Sequence, residues 1–392
     1  MHKRERVLLA AGVSLLATTT VLVGAASANA SPNTNPNASP ASPVVGHTYV
    51  NGNTTTANTI AGFDRHKDGS LTPIPGSPFA IGGAGLGVGL GSQGAIQSSA
   101  DGRFLLAVDA GSNQISVLRV TGNGVPRPVG APVPSGGVQP VSLAVSAEGL
   151  VYVANVGVGG SNYTGFRLSD DGRLTPIPGS TVAVPEGSGV GDVLFNATAD
   201  RLVGTRDNTS LIDSFVVRRD GRLAAATGSP FPAQSLGPIG AEFRPTNPSQ
   251  LFVTNAHAGA GNGTVSAFRV SRDATLTSIG TSPFPDFQTA PCWVEISHDG
   301  RYLFAVNTGS ANLSRYSIAR DGSLTLLGTT TFTNGLGAVD ARLSPDGRTL
   351  SVTGGRGHVL TTFAVNGGDL TELPTSPTPL PAAGAPTGLV VL

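Results

Sequence analysis

The stretch Ser297-His298-Asp299-Gly300-Arg301-Tyr302-Leu303-Phe304-Ala305-Val306-Asn307 decides the fold. An apolar run, Pro291-Cys292-Trp293-Val294-Glu295-Ile296, precedes its Asp-Gly turn and a second apolar run follows, so the segment reads as two antiparallel strands joined by a tight hairpin. Close copies occur at Ser344-Pro345-Asp346-Gly347-Arg348 and Ser99-Ala100-Asp101-Gly102-Arg103, and looser ones at 146–155, 196–206 and 244–255. Downstream of each copy a second turn recurs, as in Asp171-Gly172-Arg173-Leu174-Thr175 and Asp321-Gly322-Ser323-Leu324-Thr325. Two hairpins make a unit of four strands. At about 50 residues per unit, 45–392 holds seven units, the period of propeller blades. The expected fold is all-β, a seven-bladed β-propeller of four-stranded antiparallel blades.

An open ring would leave a sheet edge and apolar faces in water, so the ends of the chain must close it. The first unit starts at Thr48-Tyr49-Val50, which corresponds to the second strand of the others. The chain finishes with Pro386-Thr387-Gly388-Leu389-Val390-Val391-Leu392, which matches their first strands. The C-terminal strand is therefore expected to complete the N-terminal blade.

Composition excludes several classes. Charged residues are only 12% of the chain, the 24 basic residues balance the 24 acidic ones, and no field is left to attract nucleic acid or an anionic bilayer. Apolar residues lie singly or in short runs between 54 glycines and 29 prolines, which rules out a helical bundle. The single cysteine, Cys292, forms no intrachain disulfide. At the N-terminus Lys3, Arg4 and Arg6 precede an apolar run, and Ala28-Asn29-Ala30 has the small-x-small form of a secretory cleavage site. Thr18-Thr19-Thr20 interrupts that run short of a ~20-residue membrane span. Residues 1–30 are expected to be a signal peptide, 31–44 a Ser/Pro/Asn-rich linker, and 45–392 the propeller. The product is then secreted or extracytoplasmic, off the membrane once the signal is removed, and monomeric. Lysine occurs only at Lys3 and Lys67, a bias that points to a GC-rich, bacterial source.

Four-stranded units with this Asp-Gly-Arg pattern and the downstream Asp-Gly-x-Leu-Thr turn resemble the seven-bladed lactonase family, which includes 6-phosphogluconolactonase-like proteins and 3-carboxymuconate cyclases. The resemblance spans about 45–392. It implies hydrolysis or cyclisation of a small lactone or carboxylated ligand at the central channel. In that family a first strand of the form Gly-Pro-Arg-His is associated with the active centre, and a Glu follows an Asn at the end of the next strand. The matching positions are Gly237-Pro238-Ile239-Gly240 and Asn255-Ala256-His257. Ile239, Gly240 and Ala256 stand where the pattern has Arg, His and Glu.

First strands line a propeller's channel and their side chains alternate, so aligned positions form rings about the axis. The ring at Glu295 includes Gln97, Glu242 and Arg342, with Glu242, Glu295 and Arg342 on consecutive blades. The neighbouring ring includes Asp192, Trp293 and Asp340. Buried charges need partners, and one reading of the group is a polar plug that fixes blade order. The other makes Glu295 and Glu242 a catalytic carboxylate pair, one acting as general base toward a lactone carbonyl while Arg342 holds the oxyanion, with Asp192, Asp340, Trp293 and His257 binding the ligand. Asp192 and Asp340 could also offer oxygens to Ca²⁺, but no metal-loop spacing supports this, and no metal or cofactor is expected. Gly82 to Gly89 reads as a blade connector, and Cys292 as a buried apolar residue. Two function classes stand: an extracytoplasmic lactone-active enzyme, or a non-catalytic propeller that binds a ligand or protein.

Overall fold

A computed structural model describes residues 42–392, and the signal and most of the linker inferred above lie outside the described residues. Among the described residues every regular element is a strand, and the strands form seven antiparallel sheets. Each sheet is one blade. The inner strands are Thr387–Val391 in blade one, then Ile96–Ser98, Pro140–Val145, Val190–Phe195, Pro238–Arg244, Pro291–Ile296 and Ala338–Leu343 in blades two to seven. Three further strands follow outward in each blade, and in six of the seven a two-residue segment adds a fifth pairing against the third strand.

The recurrent turn is explained by its hydrogen bonds. In blade six Ser297 Oγ donates to Asp299 Oδ1 at 2.6 Å, the same oxygen accepts from Arg301 N at 3.0 Å, and Tyr302 N donates to Ser297 Oγ at 2.9 Å. Ser99, Asp101 and Phe104 repeat the arrangement in blade two, and Ser344, Asp346 and Thr349 in blade seven. The glycine of each turn has a φ of 68°, a left-handed conformation that a side chain disfavours, at Gly102, Gly300 and Gly347. Serine, aspartate and glycine thus have one local task each, which is why the motif was readable.

Blades pack face to face through apolar side chains. Phe252 and Val265 of blade five lie against Val294, Leu303 and Tyr316 of blade six, all essentially unexposed. Tyrosines stitch neighbouring blades: Tyr49 Oη donates to Gly124 O at 2.6 Å, and Tyr152 Oη to Gly221 O at 2.8 Å.

The ring closes as expected. Thr48, Tyr49 and Val50 of the second strand of blade one pair with Val391, Val390 and Leu389. That second strand, Val44–Asn51, begins where Ser42 and Pro43 already bond to the adjoining turn through His66 and Lys67. Leu389 and Val390 are buried, and Arg65 Nη2 donates to Leu392 O at 3.2 Å.

The turns between first and second strands and between third and fourth strands lie on one side of the ring, termed the turn face; the turns between second and third strands and the connections between blades lie on the other, the loop face. Between Phe79–Ala80 and Ile96–Ser98 one such connection dips into the axis. There Gln93 N donates to Gly191 O at 3.1 Å, Gln93 Nε2 to Ala241 O at 3.2 Å, and Val294 N to Gln93 Oε1 at 3.1 Å. Ser92 Oγ donates to Val141 O at 2.8 Å, and Gly94 N to Asp340 Oδ2 at 3.3 Å. Three consecutive residues therefore satisfy polar groups on the inner strands of blades three to seven.

Deletion of 386–392 should remove the pairing of blade one and at least two buried aliphatic side chains, at about 1.5–3 kcal/mol each. Thermal denaturation of the truncated protein should show a markedly lower Tm, and an unchanged Tm would refute a closed ring.

Candidate functional site

The inner strands bring Glu242, Glu295 and Arg342 together. Arg342 Nη1 donates to Glu295 Oε2 at 2.9 Å and lies 3.8 Å from Glu242 Oε2. The other oxygen of Glu295 accepts from Leu343 N at 3.0 Å. Glu295 is thus held at both oxygens by blade seven, an inter-blade clamp. Glu242 is held only at a distance, and its side chain keeps 27% of its exposure.

The second ring is also assembled, with a different role for each member. Asp192 accepts at Oδ1 from Ser142 Oγ at 3.0 Å and from Val193 N at 2.8 Å, and at Oδ2 from Ala241 N at 3.0 Å, so it joins blades three, four and five. Asp340 accepts from Gly94 N through Oδ2, while its buried Oδ1 has no protein partner. Trp293 is buried, and its Nε1 donates to Ser92 O at 2.8 Å across the axis. The indole therefore braces the axial segment. Gly240 is glycine because a Cβ there would stand 2.6 Å from the Cys292 carbonyl oxygen and 2.8 Å from Trp293 Cα on the next blade, as well as 2.5 Å from Gln93 Oε1.

His257 is not part of the group. It lies exposed on the loop face, and its N donates to Leu236 O at 3.0 Å. The register pairs Pro238 with Asn255 and Glu242 with Phe252, so four strand residues, about 13 Å, separate the two ends. Cys292 is buried against Ile239 and Ala256, and burial pushes its thiol up to about 11, the state of an inert apolar residue.

A cavity of about 320 Å³ adjoins the group. Glu242, Arg342, Asp192, Gln93 and Gln97 line it, and its wall runs out to Ala147 and Ala197 in the hairpins of the turn face. The axial segment carrying Gln93 forms its inner end, so the cavity is approached from one face.

Electrostatics distinguish the carboxyls. Burial pushes Glu242 up to about 8, against the pull of Arg342 and with the help of Glu295, Asp192 and Asp340. Burial likewise lifts Asp192 to about 7 and Asp340 to about 6. Burial alone would disfavour the charge on Arg342, but Glu295, Asp340 and Glu242 hold it firmly protonated. Among the described residues no group of three or more His, Cys, Asp or Glu side chains is arranged to hold a metal ion. The cluster is suited to binding polar oxygens and moving a proton near neutral pH.

Sequence reasoning reached the rings through strand alignment but passed over Gln93. Its one signal was length: the connection between blades one and two is unusually long and glycine-rich, with a glutamine among small residues.

Two outcomes follow. Arg342→Met leaves Glu295 and its acidic neighbours uncompensated and should cost about 3–5 kcal/mol, while Arg342→Met with Glu295→Met should recover most of that loss; equal losses in urea melts would show the pair to be solvated instead. For pH, a carboxyl raised by folding binds its proton more tightly in the folded state. Its contribution is therefore fully present below the ordinary carboxyl range and is lost as pH rises through the folded pKa. For Asp340, Asp192 and Glu242 that window runs from about 4 to about 8. Tm should fall across it, and less steeply in Glu242→Gln; a flat profile would contradict the assignments.

Comparison with known proteins agrees with this architecture. Residues 243–342, from blade five into blade seven, match the family model described as lactonase, seven-bladed β-propeller. No curated protein matches the sequence. Among solved structures, a candidate 6-phosphogluconolactonase from Bacteroides uniformis has a TM-score of 0.70 at 19% identity, covering 88% of this chain and 99% of that one. The periplasmic gluconolactonase PpgL of Pseudomonas aeruginosa has a TM-score of 0.69 at 19% identity, covering 88% and 98%. At such identities the structures speak for the fold alone. The chain is thus a seven-bladed β-propeller that over residues 243–342 resembles the lactonase family.

Proposed function

We propose that the protein is an exported lactonase that hydrolyses a small polar lactone in the axial cavity. The observation that carries the reading is the place of Glu242: its carboxyl lines a cavity of about 320 Å³ beside a charged arginine, and burial raises its pKa to about 8. That volume suits a ligand of one ring, at the lower end of the range for small-molecule sites. A base is most effective when its pKa lies near the working pH, and Glu242 fits that condition. Glu295, already bonded at both oxygens, positions Arg342 instead of reacting.

In the reaction Glu242, ionised, takes a proton from a water that attacks the lactone carbonyl carbon. Arg342 stabilises the oxyanion of the tetrahedral intermediate. Collapse breaks the ring C–O bond, and Glu242 returns its proton to the leaving alkoxide, so that lactone and water give one hydroxy acid. Export is supported by Lys3, Arg4, Arg6 and the Ala28-Asn29-Ala30 ending, and by the word periplasmic in the name of the Pseudomonas relative.

A second reading, a propeller that binds the same class of ligand without turnover, is favoured by Ile239, Gly240 and Ala256, which stand where the lactonase resemblance calls for Arg, His and Glu. Assay of the purified protein against a panel of sugar and aliphatic lactones separates the two. The expected result is hydrolysis that rises with pH through about 8 after subtraction of the spontaneous rate and falls at least ~100-fold in Glu242→Gln, with no loss of Tm in that variant. Ligand binding without turnover would establish the second reading, and activity retained in Glu242→Gln would remove Glu242 from the chemistry. N-terminal sequencing should begin at Ser31; recovery from cytosol with Met1 intact would contradict export.

A further inference from the structure

Charge is divided unequally between the two faces. The turn face carries the Asp-Gly hairpins, and most of its turns hold an Asp, Glu, Lys or Arg, including Asp101, Arg103, Asp171, Arg222, Asp299 and Arg348. The loop face consists of the connections that enter inner strands and those between second and third strands. In all of those loops the only charged side chains are Glu186, Asp207, Arg356 and the buried Asp286. The rest is glycine, alanine, serine, threonine, asparagine, proline and glutamine, with His257, His358 and a few large apolar residues.

Those apolar residues protrude. Val158 is 84% exposed, Phe287 67%, Leu336 65%, Val88 61% and Leu236 58%. They come from five separate connections around the ring, and glycines flank three of them, at Gly87-Val88-Gly89, Gly157-Val158-Gly159 and Gly335-Leu336-Gly337. Single exposed apolar residues are ordinary, but five on one nearly uncharged face are not a scatter. The face also has a recess of about 520 Å³ between blades two and three, floored by Gly136, Gly137, Gly159 and Gly160 and walled by Asn113 and Val138.

From this we propose, in place of the monomer expected from the sequence, that the loop face is the interface of a face-to-face homodimer. On a surface with almost no charge, two copies meet without like-charge repulsion and without the cost of desolvating ionised groups. It bears both apolar knobs and a glycine-lined recess, which a two-fold axis in the plane of the face sets against each other. A bilayer fits less well, because anionic headgroups are drawn by clusters of Lys and Arg and this face has Arg356 alone. Such a dimer also leaves both axial cavities open to solvent, since each is reached from the opposite, charged face. The inference stands independently of what the cavity binds or hydrolyses.

Sedimentation velocity of the purified protein tests it. The wild type should sediment at twice the chain mass at about 10 µM, and as well or better when salt is raised from ~0.1 to ~1 M, since no exposed ion pair is screened. Phe287→Glu with Leu336→Glu should weaken association by roughly 100-fold or more, with unchanged Tm and circular dichroism. Leu327→Glu, on the outer strand of blade six and 44% exposed, should leave the dimer intact. A single-chain mass at ~100 µM, a dimer indifferent to the double substitution, or a monomer that floats with phosphatidylcholine vesicles would each overturn the proposal.

Discussion

Ser92, Gln93 and Gly94 crossing the axis are the contact on which the rest of the interior depends. A seven-bladed ring leaves the inner edges of its inner strands facing a channel, with backbone donors and acceptors that need partners. These three residues and the Trp293 indole supply several of them, on blades three to seven. The same crossing ends the channel. Beside it the carboxyls of Asp192 and Asp340 are buried and that of Glu242 is largely withdrawn from solvent, and this loss of hydration raises all three above the ordinary carboxyl range. Bracing, cavity and acid–base behaviour have one cause.

Within that cavity the two glutamates diverge although they occupy equivalent positions on adjacent blades. Leu343 N and Arg342 take both oxygens of Glu295, whereas Glu242 meets Arg342 only at 3.8 Å and faces the space. A clamped carboxylate and a freer carboxyl therefore sit side by side in one cluster, and the proposed reaction rests on the freer one. The two faces differ in the same way: polar hairpins surround the approach to the cavity, and the sparsely charged loops lie on the opposite side.

The architecture was legible because its signals are local. Ser297, Asp299 and Gly300 bond within one turn, so the motif recurs wherever that turn recurs. Closure by Leu389 and Val390 was legible because a missing first strand at one end and a spare one at the other have one solution. The rings were legible because strand side chains alternate strictly, which put Glu242, Glu295 and Arg342 side by side. What could not be read was set by contacts distant in sequence. Gln93 meets Ala241 and Val294 only once the ring has closed, Gly240 is small because the backbone of Cys292 and Trp293 and the Gln93 side chain crowd it, and His257 is separated from Glu242 by the length of a strand. No periodicity carries that information.

The central claim is that burial behind the axial segment makes Glu242 a carboxyl of near-neutral pKa. Carbon-13 NMR titration of the side-chain carboxyls, with Glu242 assigned by its loss in Glu242→Gln, measures this directly. The account predicts a midpoint at about 8 in the wild type and a clear downward move when Gln93→Ala opens the channel to water. A wild-type midpoint in the ordinary carboxylate range, or one indifferent to Gln93, would contradict it.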